Sequence, residues 1–174
     1  MASPGIAPRK AAIYLMNSVI DDGKLLSELL PKAVENLAPE DRARATRLAT
    51  STLRWMDRAD RMLGPHVQKR PPTFVMNALR LGVVEIYLDG AAAHGVVNSA
   101  VEIVRAHRDF MRMGGMVNAV LRKVSDAGPD KWNALVQPQM PKWLRKPLID
   151  DFAKPTVIAI ETAHAAGAPL DITV

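Results

Sequence analysis

Val97–Lys123, VNSAVEIVRAHRDFMRMGGMVNAVLRK, is the stretch whose reading decides the fold of this chain. Val97, Ala100, Val101 and Val104 recur at i, i+3, i+4 and i+7, and Val117, Val120, Leu121 and Val124 repeat that spacing. Each set forms an apolar stripe along one helix, and a stripe of that kind is stable only when buried against another element. Glu102, Arg105, Arg108, Arg112, Arg122 and Lys123 lie off the stripes. Gly114-Gly115 is expected to supply the freedom to leave one helix and start the next. The two Val-Asn pairs, Val97-Asn98 and Val117-Asn118, stand near the helix starts. Asn there is expected to satisfy free backbone N–H groups, the other reading being contact with a nucleotide base.

Upstream, Pro8 is placed to open a helix from Arg9 to about Ile20, after an irregular, frayed stretch 1–7. A second helix, Leu25 to about Asn36, contains Pro31, which predicts a kink or an early stop. A third begins at Pro39 with Glu40 and Asp41 in its first turn and runs to about Leu63. Leu48, Thr52, Trp55, Met56 and Ala59 share one side of it, which assigns Trp55 to the core. Arg47, Arg54, Arg58 and Arg61 fall within about 60° of one another on the other side. That basic stripe fits two readings. It is a phosphate-contacting surface, or it is a solvated face partly neutralised by Asp57 and Asp60. Lys69-Arg70 beside Pro71-Pro72 makes an exposed basic corner. Thr73 to Leu88 is apolar or small almost all round, the pattern of a helix surrounded on every side, with Gly82 allowing a neighbour to approach closely. After Val124, SDAGPDK reads as a break.

The chain's 174 residues are 48% apolar, ample for one core plus an appendage, and carry a net charge of +5. All of that excess lies before residue 129, because the remaining residues are balanced. Absence of cysteine excludes disulfides, thiolate metal sites and a cysteine nucleophile. No run of 18 apolar residues occurs and the first residues lack an apolar signal core, so a soluble cytoplasmic protein without membrane contact is expected. His66, His94, His107 and His164 show neither i, i+4 spacing nor an adjacent carboxylate cluster, so no metal is expected.

VNSAVEIVRAH followed by GGMVNAVLRK resembles the last two core helices of the NusB-like RNA-binding fold. With Arg122 after Leu121, the VNAVLR form looks more like the copy at the front of the RsmB-type (Sun) ribosomal RNA cytosine methyltransferases. TSTLRW, around Arg54, resembles a stretch that members use to hold the helical core together. QPQMPKWLRKPLIDDF resembles the linker of those methyltransferases, where a Pro-x-Trp-Leu element matched by Pro141, Trp143 and Leu144 begins a helix. A second linker helix at about Thr156–Ala166 continues the match, and PLDITV is similar to the first strand of the catalytic part. The resemblance implies an all-α bundle with a helical linker extension, organised as residues 1–7 disordered, 8–128 NusB-like and 129–174 linker.

It further implies a domain that helps position small-subunit ribosomal RNA for a methyltransferase domain in cis. Arg9, Lys10, Lys69, Arg70, Arg47, Arg54, Arg58 and Arg61 would meet phosphates, with Arg122 and Lys123 in second rank because their helix has the alternative of facing the catalytic domain. S-adenosylmethionine is the cofactor expected of the full-length protein and none is expected in this chain, which has no GxG turn and no cysteine. Two alternatives stand beside this: a free-standing antitermination factor binding RNA and a ribosomal protein, and a protein-interaction scaffold. Trp132 and Trp143 have the aromatic faces to stack on bases, Trp143 being expected instead to anchor the linker or a missing domain.

Overall fold

Val75 through Glu85 is buried without interruption, and the helix that carries it, α5 (Thr73–Tyr87), is the axis of the molecule. The structure is a computed structural model that describes residues 5–167. Around α5 pack α1 (Ile6–Asp22), α3 (Pro39–Arg54), α4 (Met56–Leu63), α6 (Ala93–Arg105) and α7 (Gly114–Asp126). Gly82 makes this crowding possible. A Cβ there would lie 2.9 Å from Leu121 Cδ1 and 3.5 Å from Val96 Cγ1, so α6 and α7 reach the α5 backbone where a side chain is missing. The surrounded central helix expected from the sequence is what forms.

The α6–α7 hairpin is closely packed, and Val97, Ala100, Val104, Val117, Val120, Leu121 and Val124 are all buried. Its start and turn differ from expectation. α6 opens at Ala93, one turn early, and the chain reverses through residues 106–110 and a short 3-10 turn, Met111–Met113. Gly114 has ordinary helical angles, φ −56° and ψ −35°. Its value is space, since a Cβ would sit 2.7 Å from Arg105 Cγ. Neither Asn caps its helix; Asn98 lies in the second turn with Nδ2 3.3 Å from His94 Nδ1.

At the front, α1 begins at Ile6, which is only 2% exposed, so the irregular stretch expected to residue 7 ends sooner. Residues 1–4 lie outside the described part. α2 (Leu26–Ala33) contains Pro31 and ends short of the expected Asn36. The single long third helix is corrected. Trp55, at φ −99° and ψ 10°, separates α3 from α4. Thr46, Thr50 and Thr52 each hydrogen-bond the carbonyl four residues back, at 2.7–2.9 Å, a pattern that bends helices.

The break expected after Val124 is also corrected. α7 continues to Asp126, and only Ala127 separates it from α8 (Gly128–Ala134). Trp132 of α8 is 4% exposed, stacks on Tyr87 at 5.4 Å and lies 5.9 Å from Trp55. The apolar body therefore extends past residue 128, and neither Trp132 nor Trp55 is free to meet a base. Pro141 then precedes α9 (Lys142–Phe152), and α10 (Lys154–Ala166) follows after Ala153 at φ 65°. These two helices sit where the Pro-x-Trp-Leu resemblance puts them. The strand expected of PLDITV lies outside the described residues. Among the described residues no helix is long and apolar enough to cross a membrane.

Candidate nucleic-acid interface

Two of the arginines expected on the surface are inside. Arg9 is 7% exposed and grips Glu85 at both oxygens, Nε–Oε2 2.7 Å and Nη2–Oε1 2.7 Å, with Nη1 donating to the Gly5 carbonyl at 3.0 Å. Glu85 stands at the buried end of α5, and a buried carboxylate needs such a partner. Arg58 is 6% exposed. Its guanidinium lies 5.4 Å from the Trp55 ring and 4.7 Å from the Trp132 ring, and Nη2 donates to the Trp132 carbonyl at 2.6 Å. Burial lowers its pKa below the ordinary value. Neither side chain can meet a phosphate where it stands, and both are removed from the proposed contact set.

The rest of the basic stripe is dispersed as well. The break at Trp55 shifts α4 relative to α3, so the continuous wheel that aligned four arginines no longer applies. Arg47 pairs with Asp89 at 2.6 Å, and Arg61 pairs with Asp57 at 3.0 Å and donates to Gln139 Oε1 at 3.1 Å. Asp57 also accepts the Gln139 backbone N–H at 3.1 Å. Arg54 is exposed and lines a groove with Gln139, Met140, Glu161 and Gly167. The face expected to meet RNA is thus largely the face that receives α8 and the residues leading into α9. Asp60, expected to neutralise the stripe, is bidentate with the buried Arg80 of α5, both contacts 2.6 Å.

Cations remain exposed in other places. Lys10 lies on the open side of α1, next to the buried Arg9. Arg122 borders a small pocket of about 250 Å³ between α6 and α7 with His94, Asn98, Ser125 and Asp126. Lys123, the next residue, is exposed. Together with Lys131 of α8 it acts electrostatically on His66, whose pKa is lowered first by burial and then by these two ammonium groups. The His66 Nε2 is enclosed without a hydrogen-bond partner.

The densest gathering is at the Lys69-Arg70 corner. There Lys69 and Arg70 meet Arg112, from the 3-10 turn that begins the second helix of the hairpin, across an open groove of about 650 Å³. Pro71, Pro72, Met113 and Met116 supply the rest of its lining, and no acidic residue takes part. All three cations are exposed. Sequence reading found Lys69 and Arg70 but passed over Arg112, which is 42 positions from Arg70 and meets it only through the packing of α5 against the hairpin. Lys131 was missed for a similar reason, since it stands on a helix that periodicity did not separate from a linker.

Comparison with known proteins agrees with this fold. A protein named "Ribosomal RNA small subunit methyltransferase B" from Xanthomonas campestris pv. campestris is 30% identical over 171 residues, covering 95% of this chain and 38% of that protein. The protein of the same name from Vibrio vulnificus is 26% identical, covering 79% of this chain and 40% of its own length. This chain thus spans about two fifths of the curated relatives it matches. NusB of T. maritima superposes with a TM-score of 0.63 at 19% identity, covering 78% of this chain and 100% of that one. A chain from a crystal structure of a plectonemic RNA supercoil superposes with a TM-score of 0.64 at 24% identity, covering 70% of this chain and 94% of that one. Residues 7–126 match the profile described as the NusB family, and on that match, α1 through α7, the chain belongs to the NusB family.

Proposed function

We propose that this chain is the RNA-binding front of a small-subunit ribosomal RNA cytosine-5 methyltransferase, and that a catalytic domain in cis performs the transfer. One observation carries the reading. Similarity to proteins named ribosomal RNA small subunit methyltransferase B does not stop at the family match ending at residue 126 but covers 95% of this chain, α9 and α10 included. The two-helix extension beyond the bundle is the part that would lead into a further domain. Trp143, 76% exposed, and Phe152, 57% exposed, are large apolar groups on that extension and suit a surface that another domain covers.

The work of this chain is positioning. Lys10, Lys69, Arg70, Arg112, Lys123 and Lys131 neutralise phosphates, with little sequence read, and so hold the target against the catalytic part. S-adenosylmethionine would supply the methyl group, held by the catalytic domain proposed in cis.

The test is binding of a small-subunit ribosomal RNA fragment by the full chain, followed as salt is raised. Six phosphate contacts predict a log–log slope of about −4 for single-stranded RNA, using about −0.7 for each contact. No binding, or affinity indifferent to salt, would refute the reading and leave the fold as a scaffold for protein partners.

A further inference from the structure

The groove at the Lys69-Arg70 corner is built unlike a phosphate-only surface. Its rim is cationic, formed by the exposed Lys69, Arg70 and Arg112, while its floor is apolar, formed by the buried Pro71 and the half-buried Met113 and Met116. Its volume of about 650 Å³ lies within the roughly 300–1,000 Å³ typical of small-ligand pockets. The walls come from two distant segments, and ring contacts between residues next to them tie those segments together. Phe74, just after the two prolines, stacks on Phe110 at 5.6 Å and meets His107 at 4.6 Å; His107 and Phe110 lie 4.5 Å apart. The Met113 N–H donates to the Phe110 carbonyl at 2.8 Å, and Thr73 Oγ1 donates to Asp21 at 2.8 Å. Two consecutive prolines stiffen the opposite wall. The groove is therefore preformed, and a ligand entering it orders little.

A preformed apolar slot ringed by cations suits a flat ring with phosphates on either side. Extended peptide fits less well, because two of the lining residues are prolines without N–H groups and the lining has no neutral polar side chain to satisfy a peptide backbone. A duplex keeps its bases stacked inside and would touch the rim alone. Only an unpaired nucleotide can place a base on the floor and its phosphates on the rim together.

We propose that this groove is a nucleotide-binding site for an unpaired residue of RNA, with the base against Pro71, Met113 and Met116 and the flanking phosphates on Lys69, Arg70 and Arg112. The site rests on the RNA-binding reading above and adds to it a requirement for a base.

Fluorescence anisotropy of the full chain with a labelled oligoadenylate, and with the same phosphodiester carrying abasic sugars, tests the two separately. Removing the base is expected to weaken binding on the order of tenfold for each base seated. The triple variant Lys69→Glu, Arg70→Glu, Arg112→Glu, all exposed positions, is expected to abolish that discrimination while its circular dichroism stays helical. Equal affinity for the two oligomers overturns the nucleotide site but leaves RNA binding standing. Discrimination that survives the triple variant overturns it too, by placing the base elsewhere. Absence of binding to either oligomer overturns both readings. Capture of an acidic peptide, lost in the triple variant and unaccompanied by RNA binding, would assign the groove to protein.

Discussion

Glu85 is 2% exposed, and both of its oxygens are held by Arg9, with Arg44 a further 3.5 Å away. Removing one member of a buried pair leaves the other charge without compensation, which costs about 3–5 kcal/mol. Arg9→Ala is therefore expected to lower the urea midpoint by that equivalent, and the double variant Arg9→Met, Glu85→Leu to recover most of the loss. A midpoint unchanged in Arg9→Ala would return Arg9 to the surface set that the sequence suggested. His66 gives a pH dependence. Its folded pKa lies below the ordinary 6.5 because of burial, then Lys131, then Lys123, so the unfolded chain takes up a proton first as pH falls. Stability contributed by the neutral ring is present above pH 6.5 and declines as pH drops through that value. Urea midpoints measured at pH 8 and pH 6 should differ less in His66→Gln than in the parent chain; an equal difference would show that His66 is not perturbed. Single arginines were the least legible feature of the sequence. Arg9 and its partner are 76 positions apart, and Arg58 reaches the Trp132 carbonyl across 74, so local pattern registers a charge without registering what neutralises it.

Glycine positions separate elements that are tightly packed from those that are merely helical. Gly82→Ala would bring a Cβ within 2.9–3.0 Å of the Leu121 methyl groups, and Leu121 is fully buried. Overpacking of this kind costs about 1–3 kcal/mol, against a helix-propensity gain of about 1. Gly115→Ala has nothing within 4 Å on an exposed turn of α7 and should gain about 0.5 kcal/mol. Thermal unfolding of the two variants should move in opposite directions, and a stabilised Gly82→Ala would show that the hairpin does not press on α5. These elements were the most legible ones. The apolar i, i+3, i+4, i+7 recurrence of α6 and α7, and the unbroken apolar surface of α5, report burial directly, because a stripe that must be covered is written in the chain itself. The break at Trp55 was not legible, since it is a change of one residue's backbone angles inside an uninterrupted helical pattern. The basic groove inherits both properties. Lys69 and Arg70 announce themselves beside two prolines, whereas Arg112 joins them only once the hairpin is folded onto α5.

Across the whole molecule, cohesion is uneven. α1 through α8 share one apolar core that closes over Trp132, whereas α9 and α10 have their close packing with each other. Their hairpin is internally firm, since Arg145 and Glu161 form a largely buried pair at 2.8 Å and the Met140 N–H donates to the same carboxylate at 2.9 Å. Polar contacts take part in its attachment to the body. Gln139 bridges Asp57 and Arg61 there, and the Arg61–Asp57 pair is solvated. Solvated pairs contribute about 0–1 kcal/mol each, far less than the apolar burial around α5. The extension should therefore open as a unit at a free energy well below that of global unfolding, and amide hydrogen exchange reads this directly. Amides of α5 are expected to exchange only through global unfolding, and those of α9 and α10 through a smaller opening. Gln139→Ala removes the side-chain bond to Arg61, so it should speed exchange in α9 and α10 by about fivefold, the equivalent of roughly 1 kcal/mol for one hydrogen bond. Exchange in α5 should not change. Equal protection of α5 and α10 would mean that the extension is part of the body's cooperative unit. The expected split leaves α9 and α10 able to reorient on a bundle that stays folded, which is the mechanical property a connector needs if it is to carry a bound RNA toward a second domain.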